Sequence, residues 1–272
     1  MNAEPSAGLL LHLGGPLQSW GERSRFNQRD TSRAPTRSGL IGLIAAALGR
    51  RRHHPIDDLT ALRFTIRIDR PGTLLRDFHT VGGGMPRQLT VITAEGKRRS
   101  AETATLISDR YYLQDAAFTV AVTASDPQLL GICAQALRTP AWPPYLGRRS
   151  CAPNPPLLIS GPLEAPIRHL IGLPLARLAP AGEQDTSVEF RADTPFTGPT
   201  WPGGPDPAEQ DQVYTQTQDD PISFDPGNRQ YRSRPVYRRH LDLPARQCAG
   251  LGIAYITSLT AYLNEHAGKA TP

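Results

Sequence analysis

Two periods of apolar residues organise the first half of this chain. Leu9, Leu10, Leu11 and Leu13, around His12, form a short apolar run closed by Gly14-Gly15-Pro16, the pattern of a buried first strand. An Arg- and Gln-rich loop follows, holding Trp20, Arg23, Arg25, Phe26, Arg29 and Arg33. Leu40, Leu43, Ile44, Ala47 and Leu48 then recur at helical spacing, with Thr36 or Ser38 placed to cap the helix. Gly39 and Gly42 each cost that helix about 1 kcal/mol relative to Ala, so close backbone packing against a sheet is expected there. Residues 62–69 alternate as Leu-Arg-Phe-Thr-Ile-Arg-Ile-Asp. This predicts a half-exposed strand with Leu62, Phe64, Ile66 and Ile68 inward. A strand over 73–81, after Pro71-Gly72, is expected to pair with it.

Residues 82–110 lose the period and carry Gly82-Gly83-Gly84 and Lys97-Arg98-Arg99, so they read as a protruding hairpin or a flexible arm. A strand resumes over 111–124 through Phe118 and Val122. Asp126 and Pro127 open a second helix with Leu129, Leu130, Ile132, Cys133, Ala136 and Leu137 apolar, and 156–161 is the next strand. Strand, helix, strand, basic insertion, strand, helix, strand is the split βαβ order of an RRM- or ferredoxin-like α+β domain. RRM-type sheets bind single-stranded RNA by stacking bases on aromatics, although that fold hosts many functions. Further on, residues 195–228 are rich in Pro, Gly, Asp and Gln, and 206–225 hold six acids and no base. They read as a solvated loop or an acidic docking surface. Residues 229–243 around Val236 and Tyr237 suit a strand, and 251–263 a short helix.

The net charge of +5 over 272 residues conceals an asymmetry: residues 1–150 carry 20 basic and 12 acidic side chains, and residues 151–272 carry 10 and 13. The excess positive charge belongs to the N-terminal half, as expected if that half meets a polyanion. Lys97 and Lys269 are the only lysines beside 28 arginines, and Arg supplies planar bidentate contacts that Lys cannot. Cys133, Cys151 and Cys248 form no CxxC pair, which suggests reduced structural thiols in a cytoplasmic protein. No signal peptide is evident, and the apolar run 40–49 is too short to span a bilayer. No metal-ligand spacing, P-loop or GxGxxG pattern occurs, so no metal or cofactor is expected.

Two turns concentrate the candidate chemistry. Pro35-Thr36-Arg37-Ser38-Gly39-Leu40 opens a helix, and Pro144-Tyr145-Leu146-Gly147-Arg148-Arg149-Ser150-Cys151 follows one. Each sets arginine beside a hydroxyl and a glycine, a combination suited to phosphate oxygens. Two such turns with interleaved aromatics point toward a polyanion such as RNA.

With Gly15-Pro16-Leu17-Gln18-Ser19-Trp20-Gly21 and Leu75-Arg76-Asp77-Phe78-His79-Thr80-Val81, these turns make four ordered motifs. The series resembles that of the CasD subunits of type I-E CRISPR Cascade complexes and spans residues 15–151. After that the likeness thins to the Arg-rich strand near Tyr231 and Arg239. The resemblance implies a non-catalytic subunit that caps the crRNA by gripping its 5′ handle. It implies an RRM-like domain over 1–165 with a β-hairpin thumb, and a smaller, mostly β part over 166–272. The basic insertion at 82–110 falls where the thumb belongs. The implied partners are crRNA, the repeated backbone subunit and the large PAM-reading subunit, with target DNA met indirectly and no membrane.

On these grounds the candidate RNA contacts are Trp20, Arg33, Arg37, Ser38, Arg76, His79, Lys97, Arg98, Arg99, Tyr145, Arg148 and Arg149. Arg37 stands at a helix start, where a bound phosphate offsets the repulsion between a cation and the helix dipole. Arg148 and Arg149 suit successive phosphates, or else one of them pairs with Asp115. Trp20 and Tyr145 suit either base stacking or loop packing. Arg50-Arg51-Arg52 is explained by the preceding helix C-terminus. The alternative is metal-independent cleavage of precursor crRNA, with His79, Tyr111 or Tyr112, and Lys97 as the acid, base and cation such chemistry needs.

Overall fold

The strand β1 (Ala7–Gly14) is buried from Gly8 onward because it is paired on both sides, with β7 (Ala117–Thr123) and with β8 (Leu158–Glu164). The computed structural model describes residues 7–22, 27–93, 96–100, 102, 104–182, 185–197, 200–202 and 213–267; Arg23, Arg25 and Phe26 of the Arg-rich loop lie outside them. The far edge of β7 takes β4 (Arg63–Arg70), giving the order β4-β7-β1-β8 with every neighbour antiparallel. Beyond β4 the same sheet continues through β9 (Asp185–Ala192), β11 (Gln230–Pro244) and β10 (Val213–Ser223) to seven strands.

Two helices, α1 (Arg37–Ala47) and α2 (Pro127–Arg138), cover one face through a core that includes Leu9, Leu11, Leu13, Phe64, Phe118 and Val122. Both are capped from the sequence. The Thr36 hydroxyl accepts from the Gly39 N–H at 3.3 Å, and the Asp126 carboxylate from the Gln128 N–H at 2.8 Å. The opposite face, carrying Leu10, Ala117, Ala121 and Phe190, is covered by α3 (Pro166–Gly172) and α4 (Ile253–Ala267) through Leu170, Tyr255 and Leu259. The sheet surface on which an RRM-type domain stacks bases is therefore closed by the chain's own C-terminal part.

β4 is not half-exposed. Its second face carries Arg67 and Asp69, both fully buried and paired at 2.6 Å. Arg67 also donates to the carbonyls of Leu170, Leu173 and Pro174, which satisfies the open C-terminal end of α3. An alternation that suggests solvent on one side here encodes an internal ion pair under a helix.

The expected pairing of residues 73–81 with β4 does not occur, since both edges of β4 are taken by β7 and β9. Instead β5 (Thr73–Val81) pairs along its whole length with β6 (Leu106–Gln114). With β2 (Leu17–Gln18) and β3 (Gln28–Arg29), β6 and β5 make a separate four-stranded sheet. The expected 111–124 strand is thus two strands, β6 and β7. The region read as an acidic loop contains β10, whose Asp219 and Asp220 turn inward; residues 203–212 lie outside the described ones. No described helix is long and apolar enough to cross a membrane.

Candidate nucleic-acid interface

The β5–β6 hairpin exposes apolar side chains on both faces, with the register sorting them. Leu74, Arg76 and Phe78 lie with Tyr111, Asp109 and Ile107 on one face, and Leu75, Asp77 and His79 with Tyr112, Arg110 and Ser108 on the other. Phe78 is 62% and Ile107 50% exposed, and Leu74, Leu75, Val81, Met85, Leu89 and Ile92 are exposed as well. A concentration of this kind marks an interaction surface. Arg76 donates to both carboxylate oxygens of Asp109 at 3.0 Å, an exposed pair worth at most about 1 kcal/mol. His79 Nδ1 lies 3.3 Å from Asp77, both well exposed.

Toward the tip, Lys97 and Arg98 are exposed and Arg99 is half-buried. Arg98 donates to the Thr90 carbonyl at 2.7 Å, and the Arg99 N–H to the Val91 carbonyl at 3.3 Å. This packing makes residues 90–93 and 96–99 part of a folded tip rather than a plain extension of the strands.

At the base of the hairpin the turn 145–151 is fixed by Gly147, at φ +82° and with its Cα against the chain, so that a Cβ would stand 1.8 Å from the Ser19 carbonyl oxygen. Arg148 then lies 4.7 Å above the Tyr112 ring and donates to the carbonyls of Arg29 and Asp30 at 2.8 and 3.3 Å. It clamps β3 to the hairpin. Arg149, Arg33 and Arg29 are exposed beside it and Tyr145 is half-buried. Asp115 is taken by Arg70 at 2.9 Å, so the suggested pairing with Arg148 or Arg149 does not form.

Three expected contacts are placed elsewhere. Trp20 is fully buried, donates from Nε1 to Gln18 at 3.0 Å and packs against α1, where a Cβ on Gly39 would stand 2.7 Å from its ring. It offers no face to a base. Arg37 is 3% exposed and its guanidinium is spent internally, on Asp193 at 2.6 Å, Asp220 at 2.7 Å and the carbonyls of Leu62 and Thr60. The anion at the start of α1 is also internal, since the Asp219 carboxylate accepts from the Arg37 N–H at 2.7 Å. Ser38 is half-buried within that first turn, with its hydroxyl 3.4 Å from that of Thr36. Trp20 and Arg37 are corrections: burial and internal hydrogen bonding leave no donor for RNA at either, and Asp219 occupies the place of a phosphate at the helix start.

The suggested cleavage groups do not converge. By register His79 and Tyr111 project from opposite faces of the hairpin, and Tyr112, on the face of His79, is 7% exposed beneath Arg148. Lys97 belongs to the tip. Among the described residues no group of three or more His, Cys, Asp or Glu side chains has the arrangement of a metal site.

Sequence reasoning missed Arg110, which sits beside Arg29 in the parallel β3–β6 pair and adds a cation to the hairpin base. It also missed the exposed Leu74, Phe78 and Ile107. The 73–81 strand is expected from the sequence beside β4 with no face assigned, and Ile107 falls in the 82–110 stretch that reads as a hairpin or arm.

A basic hairpin base joined to an apolar hairpin, both set against a sheet closed on its two faces, defines a protein whose surface is built for assembly. The chain belongs to the CRISPR-associated Cas5 family: the family model described as CRISPR-associated protein (Cas_Cas5) matches residues 8–237. It is 37% identical over 168 residues to the CRISPR system Cascade subunit CasD of Escherichia coli (strain K12), covering 56% of this chain and 69% of that one. Among solved structures it is similar to a chain of a CRISPR RNA-guided surveillance complex, with TM-score 0.79, 42% identity and coverage of 94% and 99% of the two chains. It is also similar to a Cas protein crystal structure, with TM-score 0.55, 30% identity and coverage of 90% and 98%.

Proposed function

We propose that this protein is the CasD-type subunit of a CRISPR surveillance complex. In this reading it holds the 5′ handle of the crRNA without cutting it and docks against the repeated backbone subunit and the large PAM-reading subunit. The observation that carries the reading is the β5–β6 hairpin. It stands outside the main sheet, exposes Leu74, Phe78 and Ile107, and is rooted among Arg29, Arg33, Arg110 and Arg149. The relatives' names, Cascade subunit and RNA-guided surveillance complex, support it. The thumb is then residues 73–114, with Lys97, Arg98 and Arg99 at its tip.

The order β4-β7-β1-β8, antiparallel throughout, supports an RRM-like part over residues 1–165. The remainder, 166–272, extends the sheet and closes the face on which RRM-type domains stack bases, so in this reading the hairpin base, rather than that face, grips the RNA. Arg148 acts by fixing β3 and the 145–151 turn, while Arg33 and Arg149 reach phosphates. Arg76 and His79 border the path, and Tyr145 serves as anchor of the turn. The test is to mix purified protein with labelled repeat RNA and chelator and read binding and cleavage together. Binding with intact RNA is expected, and a discrete cut within the repeat overturns the non-catalytic reading.

A further inference from the structure

A cleft of about 300 Å³ opens between the loop that leads into α1 and the outer strands β9, β11 and β10. Ser32 and Pro35 form one wall, Ile66 and Val236 the apolar floor, and Arg191 and Arg238 the far side; Glu22, Asp193 and Asp219 also line it, the last two already paired with Arg37 and Arg234. It adjoins the loop that bears Arg29 and Arg33, so it continues the hairpin base across the chain.

The two arginines are unusual in their placement. Arg191 on β9 and Arg238 on β11 are directly paired across the sheet, an arrangement of like charges that destabilises a strand pair unless something lies between them. Arg191 donates to Glu189 at 2.6 Å. Arg238 has no such compensation: its Nε is buried and has no hydrogen-bond partner. A buried donor left unpaired is costly, and a guanidinium is the group best shaped for phosphate oxygens. Arg239, next to Arg238, also leaves its Nε buried and unpaired, but it lies on the opposite face of β11, whereas the arginines beneath the cleft are engaged. Arg234 donates to Asp193 at 2.7 Å and to Asp219 at 2.6 Å, and with Arg37 it makes a rigid wall under the cleft.

We propose that this cleft receives one unstacked nucleotide of the bound RNA, its phosphate held by Arg238 beside Arg191 and its base lying over Ile66, Val236 and Pro35. The volume suits a single nucleotide, and an apolar floor with a cationic end suits single-strand recognition, where bases are splayed out of the stack. The inference rests on the RNA-binding reading above.

The experiment titrates full-length protein with labelled repeat RNA at several salt concentrations, comparing wild type with Arg238→Met and Arg238→Lys. In parallel, 4-thiouridine placed at successive positions of the RNA maps photocrosslinks to peptides. One neutralised phosphate contact on a single strand contributes about 0.7 to the slope of log K against log salt. Arg238→Met is expected to lower the slope by that amount, Arg238→Lys to retain it, and one RNA position to crosslink to the β11 peptide. Normal binding with an unchanged slope and no β11 crosslink overturns the cleft assignment and leaves RNA binding standing. Absence of any RNA binding by the folded wild-type protein overturns both. If Arg238→Met fails to fold, the Arg238→Lys slope and the wild-type crosslink map decide.

Discussion

Arg37 and Asp219, 182 residues apart, close the start of α1: the Asp219 carboxylate accepts the Arg37 backbone N–H at 2.7 Å while the Arg37 side chain runs on to Asp193 and Asp220. With Arg234 these five residues tie α1 to β9, β10 and β11. Removing one partner of a buried ion pair typically costs about 3–5 kcal/mol because the other is left uncompensated. Arg37→Met is therefore expected to lower stability on that scale, read as the urea midpoint. RNA affinity measured on the folded fraction should keep its salt slope, since no phosphate contact is lost. A reduced slope would return Arg37 to the RNA surface.

The same network has an acid limit. Burial alone raises the Asp219 carboxyl, but hydrogen bonds from Arg234, Thr217 and the Arg37 N–H outweigh it and hold the group below its ordinary value. A carboxylate depressed in the fold contributes stability that is complete above its unfolded value, about 3.9. That contribution is lost as pH falls through the folded one. Stability is expected to drop below about pH 4, and Asp219→Asn should flatten that limb while costing stability at neutral pH. An identical acid limb in the variant would place the titration elsewhere.

Histidines at the α4 seat predict a second, milder limb. His12 is lowered chiefly by burial, with Arg67 and Arg70 acting the same way against Asp69; His169 is lowered by burial, His266 and Arg168. His12 Nδ1 lies 3.3 Å from the Tyr255 hydroxyl, and His169 Nδ1 3.1 Å from that of Tyr262. Both are neutral in the fold. Below the unfolded histidine value, about 6.5, the unfolded chain takes up protons that the fold refuses, so stability declines as pH falls from there toward the depressed values. Urea midpoints at pH 7.5, 6 and 5 should fall in that order, with a shallower trend in His12→Gln.

How far the chain could be read from its residues depended on what each periodicity meant. The β1 run, the Thr36 and Asp126 caps, the 229–243 strand and the C-terminal helix were legible because local pattern and burial agree there. The alternation of 62–69 was legible as a strand but not as a buried one, since Arg67 and Asp69 look like a solvent face until α3 is placed over them. The acids near 219 looked solvated because their partners, Arg37 and Arg234, are distant or sit on another strand. At the candidate interface the motifs pointed to two turns. They could not tell which arginine of a turn faces inward: Arg37 and Arg148 turn to carbonyls and carboxylates, Arg33 and Arg149 to the surface.

Gly39 gives a compact test of that packing. Its helical position favours Ala by about 1 kcal/mol, yet a Cβ there would stand 2.7 Å from Trp20. Overpacking of this kind costs about 1–3 kcal/mol, so Gly39→Ala is expected to destabilise on balance. Gly42, whose nearest neighbour would be Phe224 at 3.9 Å, should accept Ala with a gain. Thermal melts of the two variants distinguish them, and equal shifts would refute the Trp20 contact as the cause.

The hairpin predicts the opposite separation, between folding and assembly. Phe78 and Ile107 lie on the same face, 62% and 50% exposed, and neither belongs to the two buried clusters of the main sheet. Surface substitutions away from packed features usually change stability by no more than about 0.5 kcal/mol, so Phe78→Ser and Ile107→Ser should melt like the wild type. If the hairpin docks on a neighbouring subunit, an aromatic anchor is worth about 2 kcal/mol or more there, roughly a thirtyfold loss of affinity. Co-purification with the other subunits reads this directly. Full assembly by Phe78→Ser would move the protein-docking surface off the hairpin, whereas folded monomer left unassembled places it there.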